Sequence, residues 1–392
     1  MIINNKRALA YTAIIHDIKD IPGADNIQLG YVNAWSVIIK KNEFKEGDKV
    51  VFFEIDSLVP ASNPAFSFLQ KTNYKIKTYR LNKFKVVSQG LVLPLSDFPE
   101  VDPATPIETD VTELLKIKYY VAEDNVRKAT SVDARKERFR QFKFKHHKFF
   151  GTSFMQWLCS KKWFYNIMLK FFGKPDKKRQ FPKFISKTDE ERVQNIPSVL
   201  DLKTPMVVTE KIDGTSTTIA VKRKFLGYEI YVCSRNLRYP DKDQKCYMQN
   251  DNIYWDMALK YDIINKLKLI LKNNRELKWV AVQGESFGPK WQGNPLKLNE
   301  LDFRAFNLID SKNGRLGSVA AASILEGMGI PFVPIVSINY VLPDTVEELI
   351  TAATGPSALN PEVLREGWVI RSFDGTLSFK AVSTEYLLSK KD

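Results

Sequence analysis

The apolar and polar positions of the first 120 residues alternate in short runs. LAYTAIIHDI, WSVIIK and KVVFFEI are rich in Val, Ile and aromatic residues, and IPGAD and KEGDK lie between them. Short β-prone runs bounded by turn formers predict strands. YKIKTYRL, FKVVSQ and GLVLPL add a second set. Five or six short strands with Gly, Pro and Asp turns predict a small closed barrel of the OB type. Within it, YKIKTYRLNKFKV interleaves Lys75, Lys77, Arg80, Lys83 and Lys85 with aromatic residues. Successive side chains of a strand face opposite sides, so charge is expected on one surface and rings on the other. A cationic groove with stacking rings is how such barrels hold nucleic-acid strands. Ordinary amphipathic strands with solvated lysines give the same pattern.

From residue 191 to 392 the pattern changes. PMVVTEK, STTIAVKR, YEIYVCS, KWVAVQGES, FRAFNLID, PFVPIVS, GWVIRS and TLSFKAV read as strands, and 251–272 and GSVAAASILEGMG as helices. Mostly antiparallel sheets with interspersed helices make an α+β domain. Gly214, Gly284 and Gly367 each sit beside a charged residue, a placement that points to close approach of a ligand.

Between these regions, residues 121–190 form a basic, aromatic-rich linker or insert with a partly helical pattern. Over 122–190 there are 18 Lys and Arg against 7 Asp and Glu, which is +11 of the chain's net +14. Phe154, Trp157, Leu158, Phe164, Met168 and Phe171 recur near helical spacing, with Lys161, Lys162 and Lys170 among them. Three readings fit: a linker helix packed between domains, a nucleic-acid clamp, or an amphipathic helix on a membrane surface. His146 and His147 diverge by about 100° on a helix and make a poor metal pair.

Composition narrows the classes. A net charge of +14 points to an anionic partner. Cys159, Cys233 and Cys246 form no CxxC pair, which argues against a zinc site or a disulfide framework and for a reducing compartment, cytoplasmic or nuclear. No apolar leader and no run of about 18 apolar residues is present, so neither a signal peptide nor a membrane span is expected.

The candidate chemistry starts at TEKIDGTSTT, residues 209–218, where Lys211 stands two residues before Asp213 and three before Gly214. An amine is nucleophilic only when burial or a nearby cation lowers its pKa from about 10.4. Asp213 falls on the same face of an extended segment and is placed to hold a metal's water shell. Gly214 leaves room for a phosphate, and Thr215 and Ser216 offer hydroxyls. Downstream come SRN with Arg235, VQGESFG with Glu285, DFRAFNLID with Phe306, REGWVIR with Glu366 and LSFKAVS with Lys380. Taken singly, each of these also fits a core ring, a solvated strand end or a surface lysine.

Together, in this order and spacing over residues 205–382, the six elements resemble the covalent nucleotidyltransferase superfamily of RNA ligases, DNA ligases and mRNA-capping enzymes. The resemblance implies that Lys211 attacks the α-phosphate of ATP to form a lysyl–AMP adduct. It also implies that Glu210 reads the adenine edge, Arg235 contacts the nucleotide or the nucleic-acid end, and Phe306 stacks on adenine. Asp213, Glu285 and Glu366 would serve Mg²⁺ or Mn²⁺, Glu285 alternatively the ribose, and Lys380 would neutralise the α-phosphate. Such transfers are limited by charge and alignment, and carboxylates suit a hard cation. One departure stands out. The closing element is often K-x-K, and here it is Ser378-Phe379-Lys380, so one cation is missing or supplied by a neighbour.

The barrel-like region comes first and little chain follows Lys380. That order is similar to a group of ATP-dependent RNA ligases with an N-terminal OB module, which seal RNA 3′-OH nicks in duplexes. IPGADNIQLGYVNAWSVIIKKNEFKEGDKVVFFEIDSLVP and SQGLVLPL resemble that module. The resemblance implies RNA, a nicked duplex or an RNA–DNA hybrid as partner, and a monomer. A capping-type guanylyltransferase and a non-catalytic nucleic-acid-binding protein of the same fold are the alternatives.

Overall fold

The computed structural model describes residues 1–4, 6–120, 136, 139–140, 142–144, 146–172, 180–239 and 252–390. Cys246, residues 121–135 and the basic run 174–179 lie outside them. The N-terminal region holds Ala10–Asp20 (β1), Ile27–Val32 (β2), Trp35–Lys40 (β3), Lys49–Phe53 (β4), Tyr79–Leu81 (β5), Val86–Ser88 (β6) and Leu91–Pro94 (β7). Five of these run in the order β7-β4-β1-β2-β3, all antiparallel. β1 serves two partners. Its first half pairs with β4 and its second with β2, and a bulge between Ile15 and Asp17 bends it from one to the other. Residues 86–89 close the outer edge of β3: Gln89 N–H donates to the Ser36 carbonyl at 2.8 Å, and the Ser36 hydroxyl to the Val87 carbonyl at 2.9 Å. After Lys49, the run VVFF is apolar throughout because both its faces are covered. Val50 and Phe52 face the barrel interior with Trp35, whereas Val51 and Phe53 face a second core with Phe66 and Phe98.

YKIKTYRLNKFKV does not form one strand. Only β5 and β6 are extended; Asn82–Phe84 is a 3₁₀ turn and Lys85 has a left-handed φ of 55°. The turn ends the alternation, so charge and rings do not separate onto two surfaces.

In the middle region His147–Phe150 (α1), Ser153–Ser160 (α2) and Lys162–Phe172 (α3) are helical. The Thr152 hydroxyl caps α2 by accepting from Met155 N–H. Residues 181–190, which the sequence groups with the insert, pack instead onto the C-terminal domain, where Phe181, Phe184 and Ile185 meet Tyr231, Cys233, Ala281 and Ile309.

The C-terminal domain contains Glu191–Arg192 (β8), Met206–Lys211 (β9), Thr215–Arg223 (β10), Tyr228–Ser234 (β11), Ile253–Lys260 (α4), Ile263–Asn273 (α5), Trp279–Phe287 (β12), Asp302–Asp310 (β13), Ser318–Gly327 (α6), Ile335–Tyr340 (β14), Val346–Ala353 (α7), Gly367–Arg371 (β15), Ser378–Val382 (β16) and Thr384–Ser389 (α8). One sheet runs β8-β16-β15-β9-β14; in the other, β11-β10-β12-β13 is flanked by short edge strands. The helical pattern at 251–272 resolves into α4 and α5, which are separated where Asp262 takes φ 47°.

Period-2 alternation sorts the first sheet. Met206, Val208, Trp368, Ile370, Phe379 and Ala381 turn outward, where Val346 and Leu349 of α7 cover them. Thr209, Lys211, Val369, Arg371 and Lys380 therefore face inward, into the cleft between the sheets.

Candidate active site

The cleft has a volume of about 300 Å³, and the sequence-predicted residues Lys211, Arg235, Glu285, Phe306 and Lys380 line it. Lys211 closes β9 and donates from Nζ to Glu366 Oε2 at 2.7 Å. Burial alone would push this amine down, but Glu366, Glu285 and Asp213 outweigh it and hold the pKa above the ordinary lysine value. This corrects the expectation of an uncharged amine: in the nucleotide-free protein Lys211 is an ammonium in an ion pair.

Lys380 behaves oppositely. Burial, with Lys211 and Arg192 beside it, pushes its pKa down to about 8. Burial pushes the Glu285 carboxyl up to about 8, with Glu366 and Asp213 adding to it against the pull of Lys211. Asp213 turns toward the C-terminal helix, where Tyr386 donates from its hydroxyl at 2.6 Å and Lys390 Nζ lies at 2.6 Å.

Phe306 owes its position to a bulge. In the β12–β13 ladder Gln283 faces Asn307 and Gly284 faces Ala305, which leaves Phe306 unpaired and free to turn into the cleft. The glycines have another cause than the one expected. A Cβ on Gly214 would stand 2.5 Å from the Ser286 carbonyl oxygen and 2.9 Å from Phe287 Cβ. Gly284 and Gly367 are likewise pressed against the protein's own strands, at Phe303 and the Ala381 carbonyl. The close approach is by protein, not ligand.

Glu210 is the clearest relocation. It faces outward from β9, 2% exposed, and its carboxylate accepts from Ser357 Oγ at 2.5 Å and Ala358 N–H at 2.8 Å. Both oxygens serve the 357–358 loop, although Glu210 also borders the cleft. Of the barrel cations, Lys75 is engaged with Asp56 at 3.5 Å and lies over Tyr120, and Arg80 donates to the Leu387 carbonyl at 3.3 Å. Lys77, Lys83 and Lys85 are exposed.

Sequence reasoning missed the segment KTDEER, 187–192. It crosses the cleft mouth: Asp189 accepts from Arg235 Nη2 at 2.7 Å and lies 3.9 Å from Lys380 Nζ. Arg192 pairs in register with Lys380 in the parallel β8–β16 ladder, and its buried Nη1 has no hydrogen-bond partner among the described residues. It missed Arg371 too. That buried guanidinium donates to Ser378 Oγ at 3.0 Å, the Phe306 carbonyl at 2.8 Å and Glu190 at 2.9 Å. Arg371 is the cross-strand partner of Ser378, so a cation does stand where the missing lysine was noted. The inward phase shared by Val369, Arg371 and Lys380 is the signal that marks it. Nothing in the sequence marks Tyr386.

The acidic groups fit a divalent cation. Among the described residues no three acidic, His or Cys side chains converge closely enough to chelate a metal directly. Yet Glu366 and Asp213 add to the raised proton affinity of Glu285, a repulsion that a hydrated cation between them would relieve.

Comparison with known proteins agrees with this geometry. A family profile described as an OB-fold domain matches residues 9–95, and one described as RNA ligase matches 204–382. The structure of Naegleria gruberi RNA ligase with PPi is 31% identical, with 97% of this chain and 98% of that chain aligned at a TM-score of 0.68. A mutant of the same enzyme with AMP and Mn is 30% identical over 98% and 99% of the two chains, TM-score 0.69. Another, with ATP and Mn, is 31% identical over 98% and 100%, TM-score 0.68. A comparison with curated proteins gives no match. With a likeness of 30–31% identity over 97–98% of the chain, and a lysine, its carboxylates and an N-terminal OB module all in place, the chain belongs to the RNA ligase family.

Proposed function

We propose that this protein is an ATP-dependent RNA ligase that joins a 3′-OH to a 5′-phosphate at nicks through a lysyl–AMP intermediate. The observation that carries the reading is Lys211, set among Glu366, Glu285 and Asp213 with Lys380 opposite, in a cleft that Phe306 lines. In the first step Lys211 Nζ, after giving up a proton to solvent, forms a bond to the α-phosphorus of ATP, and the bond to pyrophosphate breaks. Until then Glu366 holds the amine in position as an ion pair. Phe306 offers a ring face to the base. Lys380, with Arg371 and Arg192 nearby, meets the phosphate charge in a buried setting where cations act strongly. Asp213, Glu285 and Glu366 would hold Mg²⁺ or Mn²⁺ through its waters, and that cation would draw Glu366 from the amine, lower its pKa and neutralise phosphate charge. AMP then passes to the 5′-phosphate end, and the 3′-OH displaces it as the phosphodiester forms.

The test is incubation with α-labelled ATP or GTP and Mg²⁺ or Mn²⁺, then a denaturing gel. A covalent adduct with ATP that is lost in Lys211→Ala is expected. Labelling with GTP instead would make the protein a guanylyltransferase, and no labelling with either would make it a binding protein. Sealing of a nicked duplex carrying RNA or DNA on each side of the break tests the substrate.

A further inference from the structure

The insert has a surface that the ligase site does not use. Its helices carry a small core of their own: Phe139 is fully buried, with its ring 6.1 Å from Phe150 and 5.4 Å from Tyr165, and Met155 is buried. With that core satisfied, the opposite faces still carry large apolar groups. On α3, Trp163, Ile167 and Phe171 stand at i, i+4 and i+8, and all are exposed, Trp163 at 61%. On α2, Phe154 and Trp157 are exposed and stacked at 6.3 Å. Phe144 and Phe149 add to the set.

The charge around these groups has one sign. From Arg138 to Phe172 the sequence has eight Lys and Arg and no Asp or Glu. Lys148, Lys161, Lys162 and Lys170 are exposed, and Lys161 Nζ lies 4.9 Å over the Trp157 ring.

We propose that this helical module docks on an anionic lipid surface, with Phe154, Trp157, Trp163 and Ile167 in the headgroup boundary and the lysines against the lipid charges. The occupant follows from the two properties together. A basic surface for nicked RNA grips phosphates, and its paired bases offer no free faces for rings to stack on. Rings that stack on single strands line a groove between cations, whereas α3 presents a convex stripe that includes an aliphatic side chain. The bilayer boundary accepts Trp, Phe and Ile on one face and long cationic side chains around them. No described helix is long and apolar enough to cross a membrane, so the module lies on the surface.

The test uses full-length protein and vesicles of phosphatidylcholine with or without phosphatidylserine, read by flotation. Co-flotation with the phosphatidylserine vesicles, weakened by salt, is expected. The variant Trp157→Ser/Trp163→Ser/Ile167→Ser should lose vesicle partitioning by about tenfold per side chain, with nick sealing and RNA affinity unchanged. These side chains lie outside the module's core, so its melting temperature should hold. Should it shift, quenching of the wild-type tryptophans by brominated lipid decides instead. Absence of wild-type flotation, equal flotation of a stable variant, absence of quenching, or loss of RNA affinity in the variant with vesicle binding intact would each overturn the proposal, the last in favour of an RNA surface.

Discussion

Glu210 distinguishes a loop clamp from a base-reading residue. It precedes Lys211 and borders the cleft, yet the residue is 2% exposed and its carboxylate accepts from Ser357 Oγ and Ala358 N–H. In Glu210→Ala, Ser357, itself 1% exposed, keeps the bond its oxygen accepts from Leu359 N–H at 3.1 Å but loses the acceptor for its hydroxyl hydrogen, at about 1–3 kcal/mol. Ala358 is exposed enough for water to relieve part of its loss, so the combined cost is about 2–4 kcal/mol. For a domain of this size each kcal/mol moves the midpoint by about 2–4 °C, so a fall of about 4–16 °C is expected. Differential scanning fluorimetry on Glu210→Ala, Ser357→Ala and the double variant reads it. The double variant should lose less than the sum of the singles, with coupling of about 1 kcal/mol or more. Adduct formation measured below the melting range should keep its KM for ATP within about twofold, and its preference over GTP. An unchanged midpoint together with lost ATP preference would refute the clamp and restore Glu210 as a base reader.

Three further outcomes follow from the geometry. Tyr386→Phe keeps the packing of α8 but removes the hydroxyl bond to Asp213; adduct formation should need several-fold more metal while the melting temperature moves little, as measured by metal titration of the labelling rate. Lys380 loses its proton as pH rises through about 8, and ATP phosphates favour the charged form, so ATP binding near pH 8.5 should take up a proton. Calorimetry without divalent metal, in buffers of different ionisation heat, should show that uptake and show it abolished in Lys380→Met. Lys77→Glu/Lys83→Glu/Lys85→Glu changes exposed barrel cations and should weaken RNA binding at low salt and flatten its salt dependence, by about one unit of slope for each phosphate no longer neutralised.

Much of the fold was legible in the sequence where local pattern and tertiary demand coincide. YEIYVCS is β11 residue for residue, and WSVIIK is β3. The motif elements do meet at one cleft, with Glu366 reaching it through its bond to Lys211, because β9, β15 and β16 are neighbours in one sheet while β11, β12 and β13 are joined through β10 in the other. Legibility failed where a single residue breaks the period. The left-handed Lys85 ends the charge alternation, and Asp262 splits a helix. Alternation also carried information that went unread, since residue 210 must oppose residue 211 on a strand.

The order of chemically distinct residues along the chain was enough to specify the family and to single out Lys211 and its acidic partners, because motif spacing is a property of the chain itself. What the chain could not express alone is which side chains neutralise one another. The ammonium state of Lys211, the depressed Lys380, the cation that Arg371 places beside Ser378 and the hold of Tyr386 on Asp213 join residues distant in the chain, Tyr386 and Asp213 by 173 positions. Charge state depends on burial and on distances of a few ångströms, and those exist only once the sheets have closed on each other.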